Sequence, residues 1–169
     1  MTDHRVAAEL IDKTVADVIV RLPKTLPIDA SITQARGAFS DDHVHMLLLT
    51  ENGQLKGALL RTDLPDHLDG TGAALPHSRV SGRTIPAGTP AELAHAILLA
   101  CGQRRLAVVD VDGFLLGLLC LKRRLAGFCS DSDVAARAAE LEKTAHSFHR
   151  PSSTNALPSG SKAIRTRRS

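Results

Sequence analysis

The amino-acid sequence predicts a mixed α/β fold of the α+β kind, built from two copies of one β-α-β-β-α unit, and three observations predict it. Two hairpin signals, Asn52-Gly53 and Asp112-Gly113, each stand between apolar runs, and such dipeptides are the strongest short-range mark of a tight β-turn. Each is followed by a second glycine, so that Gly53 to Gly113 and Gly57 to Gly117 both repeat at a spacing of 60 residues. The flanking runs, His45 to Leu49 with Leu55 to Leu60, and Leu106 to Val109 with Phe114 to Leu119, are almost continuously apolar. Strands of that kind are covered on both faces.

The first unit is placed over residues 14–69. A short β-like stretch, Thr25-Leu26-Pro27-Ile28, precedes a helix whose apolar residues Ile32, Ala35, Ala38 and Phe39 recur at helical spacing, with Asp29 or Ala30-Ser31 as its start. After the hairpin a last helix is expected near Arg61. A linker spans residues 70–79, and its Gly70-Thr71-Gly72 sits in a loop rather than after a strand, which speaks against a dinucleotide fingerprint. The second unit, residues 80–129, repeats the pattern with Thr84-Ile85-Pro86-Ala87 and a helix expected to bury Leu93, Ala96, Ile97 and Ala100. Here Thr89 is the expected N-cap, Pro90 the first helical residue and Glu92 the partner in a capping box. Its last helix is expected near Lys122. A helical extension follows over 130–149, centred on residues 131–145, and a disordered tail over 150–169.

That tail is rich in Ser, Pro and Gly without apolar periodicity, so it cannot offset its ordering entropy. It carries Arg150, Lys162, Arg165, Arg167 and Arg168 and no acid, against +3 for the whole chain, which leaves residues 1–149 at a net −2. The basic balance therefore belongs to the tail, as a solubilising segment or a site for an anionic partner. The first residues lack the apolar core of a signal peptide, and the longest apolar run, Phe114 to Leu121, is far too short to span a bilayer. Three cysteines, in no C-x-x-C pair, suit a reducing cytoplasm, and Cys120 is expected in the core. With no Trp or Tyr and four Phe, the platforms on which nucleic-acid bases stack are scarce, and no nucleic-acid or membrane partner is expected.

The order of these elements, with Gly57-Ala58-Leu59-Leu60-Arg61-Thr62-Asp63 opening the third strand and running to an acid, resembles the CBS domain family, and the tandem resembles a Bateman module. The likeness covers residues 14–129, including the stretch Val15-Ala16-Asp17-Val18-Ile19 that such domains place before the first strand. It implies two repeats packed with pseudo-two-fold symmetry, a homodimer assembled through helices, and an adenosine ligand in a cleft whose Asp holds the ribose hydroxyls. By that likeness Asp63 takes the ribose, with Arg61 and Thr62 beside it. Thr25 and Pro27 lie near the base edge, and His43 and His45 at the approach to the ligand. A carboxylate has acceptors enough for a cis-diol, and a helix start offers N–H groups to phosphate. Alternatively Asp63 is a helix-start acid that complements the dipole. The hydroxyl slot of the motif holds Leu60 in the first copy. In Gly117-Leu118-Leu119-Cys120-Leu121-Lys122-Arg123 that slot holds Cys120, and Arg123 replaces the acid, a side chain with donors only.

His43 and His45, beside Asp41 and Asp42, lack a third ligand at a recognisable spacing, so no metal is expected. No P-loop, nucleophile elbow, H-E-x-x-H or paired-carboxylate pattern is present, so catalysis and a required cofactor are not expected either. The resemblance implies a regulatory module, expected to be cytoplasmic and to stand alone. It would sense AMP, ADP, ATP or S-adenosylmethionine in one cleft and act on a regulated protein it does not identify. The alternative is a ligand-free dimerisation scaffold with degenerate clefts.

Overall fold

The structure, a computed structural model, describes residues 8–125 and 127–148. The tail expected over 150–169 lies outside the described residues. Two three-stranded sheets form, with orders β1-β2-β3 and β4-β5-β6. In the first, β1 (Thr25–Pro27) runs parallel to β2 (Met46–Glu51), which pairs antiparallel with β3 (Gln54–Leu60). Helix α1 (Ile32–Phe39) makes the crossover. The second repeats this with β4 (Thr84–Pro86), α2 (Ala91–Cys101), β5 (Arg105–Val109) and β6 (Leu115–Cys120). Helix α3 (Asp131–Phe148) follows.

The apolar runs do what their continuity requires. Leu47 and Leu49 face α1, packing with Ile32, Ala35 and Phe39. Met46 and Leu48 face the other way, into a cluster with Leu55, Ala58 and Ala107 of the second sheet. Asn52 and Gly53 both have positive φ, 50° and 82°, as the two central residues of a type I′ turn demand. The second hairpin is looser: Gly113 alone takes positive φ there, and the Asp110 carboxylate accepts from the N–H groups of Asp112 and Phe114.

Each repeat is tied to the other by the segment that leads into it. Val20 exchanges two backbone hydrogen bonds with Leu118 of β6 (2.8 and 2.9 Å), and Arg79 exchanges two with Ala58 of β3 (3.0 and 2.9 Å). The crossings pass directly over the two repeated glycines. A Cβ on Gly117 would lie 2.5 Å from the Val20 carbonyl oxygen and 2.9 Å from Ile19 Cδ1, and one on Gly57 would overlap the Ser78 side chain. Gly117 is required by the close approach of backbone, and Gly57 by the Ser78 side chain seated against it.

Three expectations are corrected. No helix begins at Arg61 or Lys122. Arg61–Asp63 is a single 310 turn that ends before Pro65, whose ring disfavours the α conformation at Leu64 (φ −118°, ψ 68°). After Lys122 the chain turns through Leu125 at φ 60° and Gly127 at φ 87°, left-handed values incompatible with a continuing helix. Next, α2 buries Ala91, Ala94 and Leu98, while Leu93 (51% exposed), Ile97 (37%) and Leu99 (43%) face outward. Since α2 is apolar nearly all round, its periodicity does not single out one face. Last, α2 starts one residue later than expected, with Pro90 as N-cap and no side-chain cap, whereas Ser31 caps α1 and forms a capping box with Gln34.

These contacts fix the sign of two substitutions. Gly117→Ala should destabilise the protein by about 3 kcal/mol, the upper range of overpacking, because a backbone oxygen must move to admit the methyl group. Gly37→Ala, in α1 with open space around the added carbon, should instead stabilise it by about 0.5–1 kcal/mol. Urea unfolding midpoints with unchanged slopes check both.

Candidate functional site

Because β1 and β2 are parallel and β2 and β3 antiparallel, the start of β1, the approach to β2 and the exit of β3 meet at one end of the first sheet. Thr25 opens β1 opposite Leu48 and Pro27 closes it opposite Thr50, both exposed. Met46 pairs with Leu60, which sets His45 beside Arg61. His43 and His45 precede β2 in an irregular stretch, both exposed, with the His43 N–H donating to Asp41 Oδ1 at 2.9 Å. Neither lies on a strand, since β2 begins only at Met46. Arg61 donates to the carbonyls of Val44 (3.2 Å) and Asp41 (3.4 Å) and lies 5.6 Å over the Phe39 ring.

Across the repeat boundary, Arg104 and Arg105 precede and open β5. Loss of solvation, and then the charges of Arg105, Arg61, Arg104 and His43, hold the His45 imidazole below its ordinary pKa. A basic region thus forms where the approaches to β2 and β5 meet. The Thr62 side chain is exposed next to it.

Asp63 is turned toward the segment leading into the second repeat. Arg83 grips both of its oxygens, Nη1 to Oδ2 at 2.6 Å and Nη2 to Oδ1 at 3.0 Å, and Nη1 also donates to the Ala58 carbonyl at 2.7 Å. The Leu60 N–H adds a bond to Oδ2 at 2.7 Å. Both side chains are nearly covered, Arg83 at 11% and Asp63 at 13% exposure. Burial alone would raise the Asp63 pKa. The hydrogen bonds from Arg83 and Leu60 and the charges of Arg83 and Arg79 outweigh it and hold the carboxyl below the usual range.

Arg83 was not among the residues singled out from the sequence. The available signal was its position, immediately before the strand Thr84–Pro86, where the first copy has Lys24 before Thr25. In the second repeat the corresponding pair would be Lys24 and Arg123, two exposed cations that cannot form such a bridge. Cys120, in the motif's hydroxyl slot, is buried with Val20 and Cys129. Near it an open cavity of about 440 Å³ is lined by Lys13, Asp17, Arg21, Lys122, Cys129 and Asp131, among others. The helix N-terminus that would present N–H groups to phosphate is formed at neither position, since the helices near Arg61 and Lys122 are missing. Among the described residues, no three His, Cys, Asp or Glu gather as a metal site.

No protein-family model matches the chain, and no curated protein matches it. Solved structures do. A CBS domain pair/ACT domain protein from Thermotoga maritima superposes with a TM-score of 0.56 at 15% identity, over 76% of this chain and 98% of the other. A CBS domain protein from Pyrobaculum aerophilum complexed with AMP gives 0.56 at 20% identity, covering 75% and 99%. CBSX2 in complex with AMP gives 0.56 at 24% identity, covering 77% and 98%. The chain has the fold of a CBS domain pair, a mixed α+β architecture of two three-stranded sheets. No helix among the described residues is long and apolar enough to cross a membrane.

The Arg83–Asp63 pair carries a pH signature. A carboxylate whose folded pKa is depressed stabilises the fold above its unfolded pKa, and that contribution is lost as pH falls through the folded value. Stability should therefore decline on acidification below about pH 4, and Asp63→Asn should flatten part of that decline. At neutral pH, Asp63→Asn should cost about 2 kcal/mol by leaving the covered guanidinium with a weaker partner. Urea melts of both proteins across the acid range check the two statements together.

Proposed function

We propose that the chain is a non-catalytic regulatory CBS-pair module that senses an adenosine nucleotide in the cleft of its first repeat. The observation that carries this reading is the Asp63 carboxylate, kept ionised and partly covered at the exit of β3 with both oxygens in use as acceptors. Ribose hydroxyls require just such an acceptor. Neighbours of the same fold bound to AMP, and a magnesium-channel cytosolic domain bound to ATP, support the ligand class. Arg61, Arg104 and Arg105 supply positive charge at the same end of the sheets.

Arg83 gives this reading a mechanism. It occupies the acceptor positions a ribose would use, so a nucleotide held by Asp63 must displace it. The pair joins the approach to β4 to the exit of β3, and breaking it alters the contact between repeats. A ligand shifts such an equilibrium by its differential affinity for the paired and unpaired forms. The second reading, a ligand-free scaffold, is favoured by the second repeat, where Cys120 and Arg123 replace the motif residues and no helix begins at Lys122.

Calorimetry with AMP, ADP, ATP and S-adenosylmethionine decides between them. One site per chain is expected, weakened roughly ten- to a hundred-fold in Asp63→Ala, since hydrogen bonds to a charged group are worth about 1.5–3 kcal/mol. Arg83→Ala should bind more tightly than the wild type, because Asp63 is then unoccupied. Absence of binding in both wild type and Arg83→Ala would establish the scaffold reading. We further propose that two copies pair through α2, whose outward Leu93, Ile97 and Leu99 support an apolar contact. Sedimentation at micromolar concentration should show a dimer, and Leu93→Asp with Ile97→Asp should give a monomer.

A further inference from the structure

We propose that Cys120 and Cys129 form a redox couple that closes to a disulfide within the second repeat. Cys120 ends β6, and Cys129 lies on the returning stretch, where Leu121 and Phe128 bridge antiparallel and the Cys129 N–H donates to the Cys120 carbonyl at 2.7 Å. The two cysteines are therefore directly opposed on antiparallel segments, an arrangement whose Cα separation suits a disulfide. Their sulfurs are 3.2 Å apart, roughly 1.2 Å more than a covalent S–S bond. Both residues are buried, at 7% and 3% exposure, but Cys129 lines the open cavity and so has a route to a small oxidant.

The chemistry balances with a hydroperoxide as oxidant. The Cys129 sulfur attacks the peroxide, the O–O bond breaks, an alcohol (water, for hydrogen peroxide) leaves, and Cys129 becomes a sulfenic acid. The Cys120 sulfur then displaces the hydroxyl group, the S–S bond forms, and water departs with the Cys120 proton. Two thiols have lost two electrons and two protons, and the peroxide has gained them. The resulting ring encloses the turn with the left-handed residues Leu125 and Gly127 and the cations Lys122 and Arg123. Since both cysteines pack with Val20, the bond fixes that turn next to the crossing of the first repeat's lead-in over β6. The proposal does not depend on nucleotide binding.

The test uses the full chain carrying Cys101→Ser, because Cys101 is an exposed thiol that would react in its own right. Folded protein is treated with stoichiometric hydrogen peroxide and then examined by thiol titration and peptide mass mapping. Both remaining thiols should disappear together, with a Cys120–Cys129 cross-linked peptide that dithiothreitol reverses. The oxidised form should melt roughly 5 °C higher than the reduced one, as expected when a short loop is closed without strain. Adding Cys129→Ser or Cys120→Ser should abolish the cross-link and the shift. The proposal is overturned if both thiols persist under conditions that oxidise the unfolded chain. It is equally overturned if Cys129 proceeds to sulfinic acid while Cys120 remains a thiol, an outcome read on the parent protein whatever the variants' stability.

Discussion

Two strands of backbone crossing over two glycines hold the repeats together. Where Val20 pairs with Leu118 and Arg79 with Ala58, each repeat's third strand gains a partner from the segment that leads into the other repeat. Those backbone groups would otherwise be buried without hydrogen bonds, at a cost of about 1–3 kcal/mol each. The approach is possible only because Gly57 and Gly117 carry no side chain. Once the crossings are made, the second faces of β2 and β5 are brought into one cluster, and Met46, Leu48 and Ala107 have somewhere to be buried. The motif glycines, which resemble part of a ligand-binding signature, are thus explained here by packing alone.

How much of this could be read in advance depends on the range of the interaction. The hairpins were legible because Asn52-Gly53 states its turn type in two residues, and the strands because four consecutive buried leucine-like positions leave little else to be. The 60-residue period then placed the second copy. What was not legible had competing local signals or none. The stretch that begins at Arg61 reads as helix until Pro65 is weighed, and α2 offers two apolar faces of which packing selects the one centred on Ala94 and Leu98. Of the candidate site, the positions of Thr25, His45 and Arg61 at one sheet end followed from topology. The partner of Asp63 did not, because Arg83 reaches it across 20 residues of chain through a contact no local pattern encodes.

The two crossings have diverged in how they are fastened. In the first repeat the exit of β3 is tied by charge, with Asp63 clasped by the arginine that introduces β4. In the second, the corresponding positions hold two exposed cations that cannot pair, and the exit of β6 is tied instead by sulfur, where Cys120 meets Cys129 beside Val20. The difference matters because the fastenings respond to different agents. An ion pair yields to a competing hydrogen-bond donor or to protonation of the carboxylate, whereas a dithiol is insensitive to both and responds to oxidant. A duplicated fold with one fastening of each kind offers two independent controls on the same inter-repeat contact. That asymmetry follows from three residues, Arg83, Cys120 and Arg123, on an otherwise symmetric frame.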